Sequence, residues 1–113
     1  MKQYFTDNEL RCKCCGKLVI NQDFRDRLNK ARFYAWFPFV VNSGYRCEKH
    51  NSDVGSTSLN HVAGKAADIK CVDAHDRYIM VQSMINAGML GIGIGPKYVH
   101  CDINRELGHI WTY

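Results

Sequence analysis

Two histidines and one aspartate, His61, Asp68 and His100, are the residues of this sequence best suited to hold a metal ion. His61 ends a loop rich in serine and glycine, Asp68 follows seven residues later in a run that reads as a strand, and His100 sits inside another strand-like run. Folding can therefore bring three rigidly held nitrogen and oxygen donors together. Two imidazoles and a carboxylate leave the fourth position of a tetrahedral ion open, which is the arrangement of a catalytic zinc rather than a structural one. Such a zinc lowers the pKa of its bound water to about 7 and polarises a carbonyl, the chemistry of a hydrolase. The same residues also fit a capped loop and a hydrogen-bonded strand histidine, and spacing alone does not choose.

The elements that must carry these residues are legible in outline. "TDNEL" offers Thr6 or Asp7 as a cap with Glu9 nearby, enough for a short turn. From Asn21 to about Trp36, Phe24, Leu28, Ala31 and Ala35 recur at helical spacing, with Asn21 or Asp23 as cap and Pro38 closing the segment. "PFVVNSGY" reads as a strand ending at Gly44. In "KAADIKCV", Ala67, Ile69 and Cys71 alternate against Ala66, Asp68 and Lys70, so Asp68 and Lys70 share a face. A second helix has Asp73 as cap, Ile79, Met80, Met84 and Ile85 as its stripe, and Gly88 as its stop. "LGIGIG" and "KYVHCDI" follow as strands around the Gly95-Pro96 turn, and "HIWTY" fits a final edge strand. The sum is an α+β fold, two main helices and a small, mostly antiparallel sheet. Gly91-x-Gly93-x-Gly95 has the look of a nucleotide loop, but no helix follows it.

Composition narrows the field. At 113 residues, with 46% hydrophobic and 23% charged residues, the chain reads as a single domain over 1–113 with an ordinary globular profile. The net charge of +4 is scattered rather than gathered into a block, so it suits an approach to anionic polymers without selecting one. No apolar run approaches a membrane span, and the first residues lack the apolar core of a signal peptide. The expectation is a protein made in the cytoplasm, with no membrane partner. Cys12, Cys14 and Cys15 crowd into "RCKCCGK" while Cys47, Cys71 and Cys101 are dispersed, unlike the paired Cys-x-x-Cys spacing of a zinc ribbon. Reduced thiols, a second structural metal site and a disulfide all remain open. Basic and aromatic residues do not gather around the cluster, which argues against a nucleic-acid binder.

Three stretches taken in order, "SGYRCEKHN", "HVAGKAAD" and "YVHCD", resemble the zinc D-alanyl-D-alanine carboxypeptidase family and its phage endolysin relatives, over roughly Val41 to Ile103. The resemblance implies a DD-peptidase fold of the kind shared with the hedgehog signalling domain, and His61, Asp68 and His100 as ligands of a Zn2+ cofactor. It also implies Arg46 beside the substrate's carboxylate or carbonyl and a peptidoglycan stem peptide as substrate; Tyr98 at the substrate and a monomer are further expectations. A leaderless member reaches the wall after lysis or by virion delivery. Gly64 and Ala66 suit a tight, closely packed link from His61 to Asp68, and His50 and Asn51 suit loop ordering through local hydrogen bonds.

The match has two departures. Many relatives carry Ser two residues before the first zinc histidine, where this sequence has Leu59, with Ser58 one place off. Many supply a general base two or three residues before the late histidine, where Tyr98 and Lys97 stand here. Strand period puts Tyr98, His100 and Asp102 on one face, so Asp102 becomes the expected proton acceptor. Its competing role is to orient a ligand histidine or to pair with Arg46. If the base is missing, the chain is a zinc-stabilised binding or structural module on the same fold.

Overall fold

The structure is a computed structural model that describes residues 2–56 and 58–113; Met1 and Thr57 lie outside the described residues. The elements are α1 (Asp7–Leu10), α2 (Gln22–Ala35), β1 (Val41–Ser43), α3 (Glu48–Asp53), β2 (Ala66–Lys70), α4 (Ala74–Asn86), β3 (Gly91–Ile94), β4 (Tyr98–Asp102) and β5 (His109–Thr112). The five strands form one sheet in the order β1-β2-β4-β3-β5. All its pairings are antiparallel except that of the edge strand β5, which runs parallel to β3.

Helix α2 begins where the side chain of Asn21 accepts the Phe24 N–H at 3.0 Å, satisfying one of the donors a helix start leaves open. Phe24, Leu28, Ala31 and Ala35 then fall on one stripe and are buried. Helix α4, capped by Asp73, packs against α2, and both cover the sheet face formed by Ala67, Ile69, Ile92, Val99 and Cys101. Each large side chain buried there contributes about 1.5–3 kcal/mol. The α4 stripe runs through Met80, Ser83 and Met84, and Ile85 is exposed. A residue directly after Met84 is rotated by about 100° from it, which carries Ile85 off the buried side.

Helix α3 replaces the loop expected around His50 and Asn51. Its sequence, EKHNSD, has no apolar stripe, and its cap is Cys47, whose sulfur accepts the His50 N–H; neither is an ordinary helix signal. Strand β1 is shorter than "PFVVNSGY" suggests. An irregularity between Val41 and Ser43 shifts the register so that Ser43 lies opposite Asp68, as bulges beside functional sites commonly do.

Period two sends Ala67, Ile69, Val99 and Cys101 to the helices and leaves Asp68, Tyr98, His100 and Asp102 on the other face. In the β2–β4 register, Asp68 pairs with His100. The link from His61 into β2 turns at Gly64, with φ of +71° and its carbonyl accepting the Asn21 N–H at 2.9 Å. A Cβ there would lie 2.5 Å from the Val19 carbonyl oxygen. Gly64→Ala is therefore expected to destabilise by more than about 1 kcal/mol and to lower the melting temperature by several degrees. An unchanged thermal melt would show that this link moves freely.

Candidate metal centre

His61 enters from the turn before β2, Asp68 from β2 and His100 from β4, and one donor atom from each lies within 4.8 Å of the others. Nε2 of His61 is 3.4 Å from Oδ1 of Asp68, and Nδ1 of His100 is 3.0 Å from the same oxygen. Ligand atoms about 2.0–2.1 Å from a shared tetrahedral ion stand roughly 3.3 Å apart. The observed spacings match.

The outer hydrogen bonds fit the same purpose. Nδ1–H of His61 donates to the Gly44 carbonyl at 2.8 Å, leaving Nε2 to face inward. Nε2–H of His100 donates to Oδ2 of Asp102 at 2.7 Å, leaving Nδ1 to face inward. Fixing each imidazole through its far nitrogen is how proteins orient metal-binding histidines. The second oxygen of Asp68 is held by Nη2 of Arg46 at 3.0 Å. Burial works to raise the Asp68 carboxyl, but hydrogen bonds from His100 and His61 outweigh it and hold it well below the usual carboxylate range. Burial likewise works against a charged His100, and Asp102 and Asp68 raise it nonetheless.

The three donors open onto a cleft of about 710 Å3. The family model described as Peptidase M15 matches residues 3–102. The chain belongs to the peptidase M15 family. Comparison with curated proteins gives no match. Membership marks the chain as a peptidase-family domain, and M15 peptidases are typically zinc-dependent, which agrees with the donor set. No helix among the described residues is long and apolar enough to cross a membrane.

Around this M15 centre, Arg46 and Tyr98 line the cleft. Arg46 is more engaged than a free substrate-binding arginine. Its Nε donates to Ser43 Oγ at 2.8 Å and its Nη1 to Asn51 Oδ1 at 3.4 Å, while Nη2 holds Asp68. Buried Asn51 in turn donates to the Ser58 carbonyl at 2.8 Å, so it orders the loop although it sits on a helix. Ser58 lines the cleft, whereas Leu59 is 65% exposed and lies outside its lining. Burial raises the Tyr98 phenol, which stays a neutral donor.

Asp102 is where placement departs from expectation. It shares the face of His100, yet it is 0% exposed and absent from the cleft lining. Its oxygens accept from His100 Nε2, from Asn60 Nδ2 at 3.2 Å and from Arg105 Nε at 3.2 Å. A carboxylate so enclosed has no face from which to take a proton from water in the cleft.

Arg105, Trp111 and Tyr113 also line the cleft, and Arg105 lies over the Trp111 ring at 4.4 Å. All three lie beyond the residues the family model matches. The glycines read as a discarded nucleotide motif make room for this wall: a Cβ on Gly91 would meet the Asp102 carboxylate, one on Gly93 would meet Trp111 and Tyr113, and one on Gly95 the Tyr98 ring. Period two along β5 and the residue after it puts Trp111 and Tyr113 on one face.

Proposed function

We propose that this M15 peptidase is a zinc metallopeptidase that hydrolyses an amide bond in the peptide stems of peptidoglycan, as a D-Ala-D-Ala carboxypeptidase or an L-Ala-D-Glu endopeptidase. The observation that carries the reading is the convergence of His61 Nε2, Asp68 Oδ1 and His100 Nδ1 at the floor of an open cleft. Zinc held there supplies a Lewis acid for the scissile carbonyl and a coordinated water of pKa about 7.

The remaining work falls to the protein's own groups. Asp102 fixes the ring of His100, and Arg46 fixes the carboxylate of Asp68. Stem peptides carry carboxylates, and the cleft presents the guanidinium groups of Arg46 and Arg105, whose planar forks suit them. Tyr98 and Tyr113 offer phenol donors to a backbone carbonyl, and Trp111 forms an apolar side for the stem. The working form in this proposal is a monomer that meets the wall after lysis or by virion delivery.

One observation favours a second reading. Among the described residues lining the cleft, Asp68 is the one carboxylate, and both its oxygens are engaged. A chain without a free base is a zinc-stabilised module that binds wall peptide with little turnover. Zinc-loaded protein incubated with a stem pentapeptide ending in D-Ala-D-Ala, and separately with one containing the L-Ala-D-Glu bond, decides between them. Free D-alanine marks the carboxypeptidase and free L-alanine the endopeptidase. Both peptides recovered intact would leave the binding module.

Arg46→Lys keeps a positive charge but cannot reach Ser43, Asn51 and Asp68 together. It is expected to weaken zinc affinity about tenfold and to lower the melting temperature, read by competition with a chelating dye and by calorimetry. A variant with unchanged zinc affinity and stability that loses only peptide hydrolysis would restore Arg46 to a purely substrate-binding role.

A further inference from the structure

A second group of metal-binding side chains lies outside the cleft, where the N-terminal arm meets α3. The sulfurs of Cys12, Cys15 and Cys47 lie within 4.8 Å of one another, although 35 positions separate Cys12 from Cys47. Cys12 and Cys15 both belong to the turn Cys12-Lys13-Cys14-Cys15-Gly16. The Gly16 N–H closes it on the Cys12 carbonyl at 2.8 Å, and the Cys12 N–H donates to the Lys17 carbonyl at 2.8 Å. Gly16 has φ of +75°, a conformation that doubles the chain back at little steric expense for glycine alone. The Cys47 N–H donates to the Cys12 sulfur, and the Cys47 sulfur accepts from His50, both at 3.4 Å. Burial works to raise the Cys12 thiol, but backbone donors at Cys47, Cys15 and Cys14 outweigh it and bring it down to about 6.

We propose that Cys12, Cys15 and Cys47 bind a structural zinc ion, with Cys14 as fourth ligand, separate from the His61–Asp68–His100 centre. Thiolates about 2.3 Å from a tetrahedral ion lie roughly 3.8 Å apart, and a Cys-x-x-Cys turn paired with a distant cysteine is a zinc arrangement. Cys14 is exposed on the same turn, between Cys12 and Cys15, so its side chain is free to rotate toward the trio. A disulfide would consume two of these sulfurs and leave the others clustered without a purpose, whereas a zinc ion uses all four.

The ion would join two distant parts of the chain at a place that matters to the cleft. Cys47 directly follows Arg46, and the Tyr45 N–H already donates to the Leu10 carbonyl at 2.9 Å. The link therefore fixes the stretch that carries the Asp68 clamp to the arm beneath it, and metal binding that orders the folded chain stabilises it.

The test uses the full chain in the His61→Ala background, so the result is independent of the cleft centre and of any peptidase activity. One zinc per chain is expected to remain by elemental analysis, and cobalt substitution is expected to give an intense thiolate-to-cobalt charge-transfer band. Adding Cys15→Ser, on the exposed turn, is expected to remove the metal and the band and to lower the melting temperature; Cys47→Ser is the second variant should the first not fold. A His61→Ala protein that holds no metal while Cys14, Cys15 and Cys47 react under native conditions would overturn the proposal. So would an intact mass two hydrogens lighter than the reduced chain, the mark of a disulfide.

Discussion

His61→Ala is expected to abolish stoichiometric zinc at the His61–Asp68–His100 centre and peptide hydrolysis with it. Two remaining ligands, one of them a carboxylate shared with Arg46, are too few to hold the ion at ordinary concentrations. Truncation also strips the Gly44 carbonyl of its buried donor, at about 1–3 kcal/mol, so the melting temperature is read alongside the metal content. A folded variant that keeps full occupancy at this centre, counted apart from any thiolate-bound ion by its cobalt spectrum, would contradict the ligand assignment.

Asp102→Asn is the second large effect, and its form matters more than its size. Asparagine with its oxygen toward His100 and Asn60 loses the negative charge that holds the ring and presents an amide N–H2 where Arg105 Nε donates. The His100 ring loses its fixed orientation, so zinc affinity is expected to fall by about tenfold to a hundredfold, with added zinc restoring much of the rate. A general base would behave in the opposite way, with zinc binding intact and turnover lower by about a hundredfold or more at any zinc concentration. Titrating rate against zinc for this one variant separates the roles, and a rate that zinc fails to rescue would return Asp102 to the proton-transfer step.

The parts of this architecture that the sequence announces are those governed by a short period. Phe24, Leu28, Ala31 and Ala35 mark α2 because one helical stripe faces one core, and alternation groups Asp68 with Lys70 and His100 with Tyr98 and Asp102, while the β2–β4 register brings those two faces together. What alternation lacks is depth. It aligns Asp102 with His100 but says nothing of Asn60 and Arg105 closing over it, since those contacts span 42 and 3 positions and depend on where two loops fold back. Arg46 was legible as a cleft residue and not as a clamp, because the irregularity that brings Ser43 opposite Asp68 leaves no mark in the residue types. Helix α3 stayed hidden because an all-polar hexapeptide has no stripe. Gly91, Gly93 and Gly95 misled for a related reason: their role is to leave volume for neighbours, and a sequence shows the small residue without showing what fills the space. The crowding of Cys12, Cys14 and Cys15 was visible but its purpose was not, because the partner Cys47 is a single residue supplied by tertiary contact.

The most direct measurement is an anomalous difference map at the zinc absorption edge from crystals of the zinc-loaded protein. The expected result is an ion in the cleft about 2.0–2.2 Å from His61 Nε2, Asp68 Oδ1 and His100 Nδ1. A cleft without that ion, or an ion there that bypasses any of the three atoms, would contradict the account.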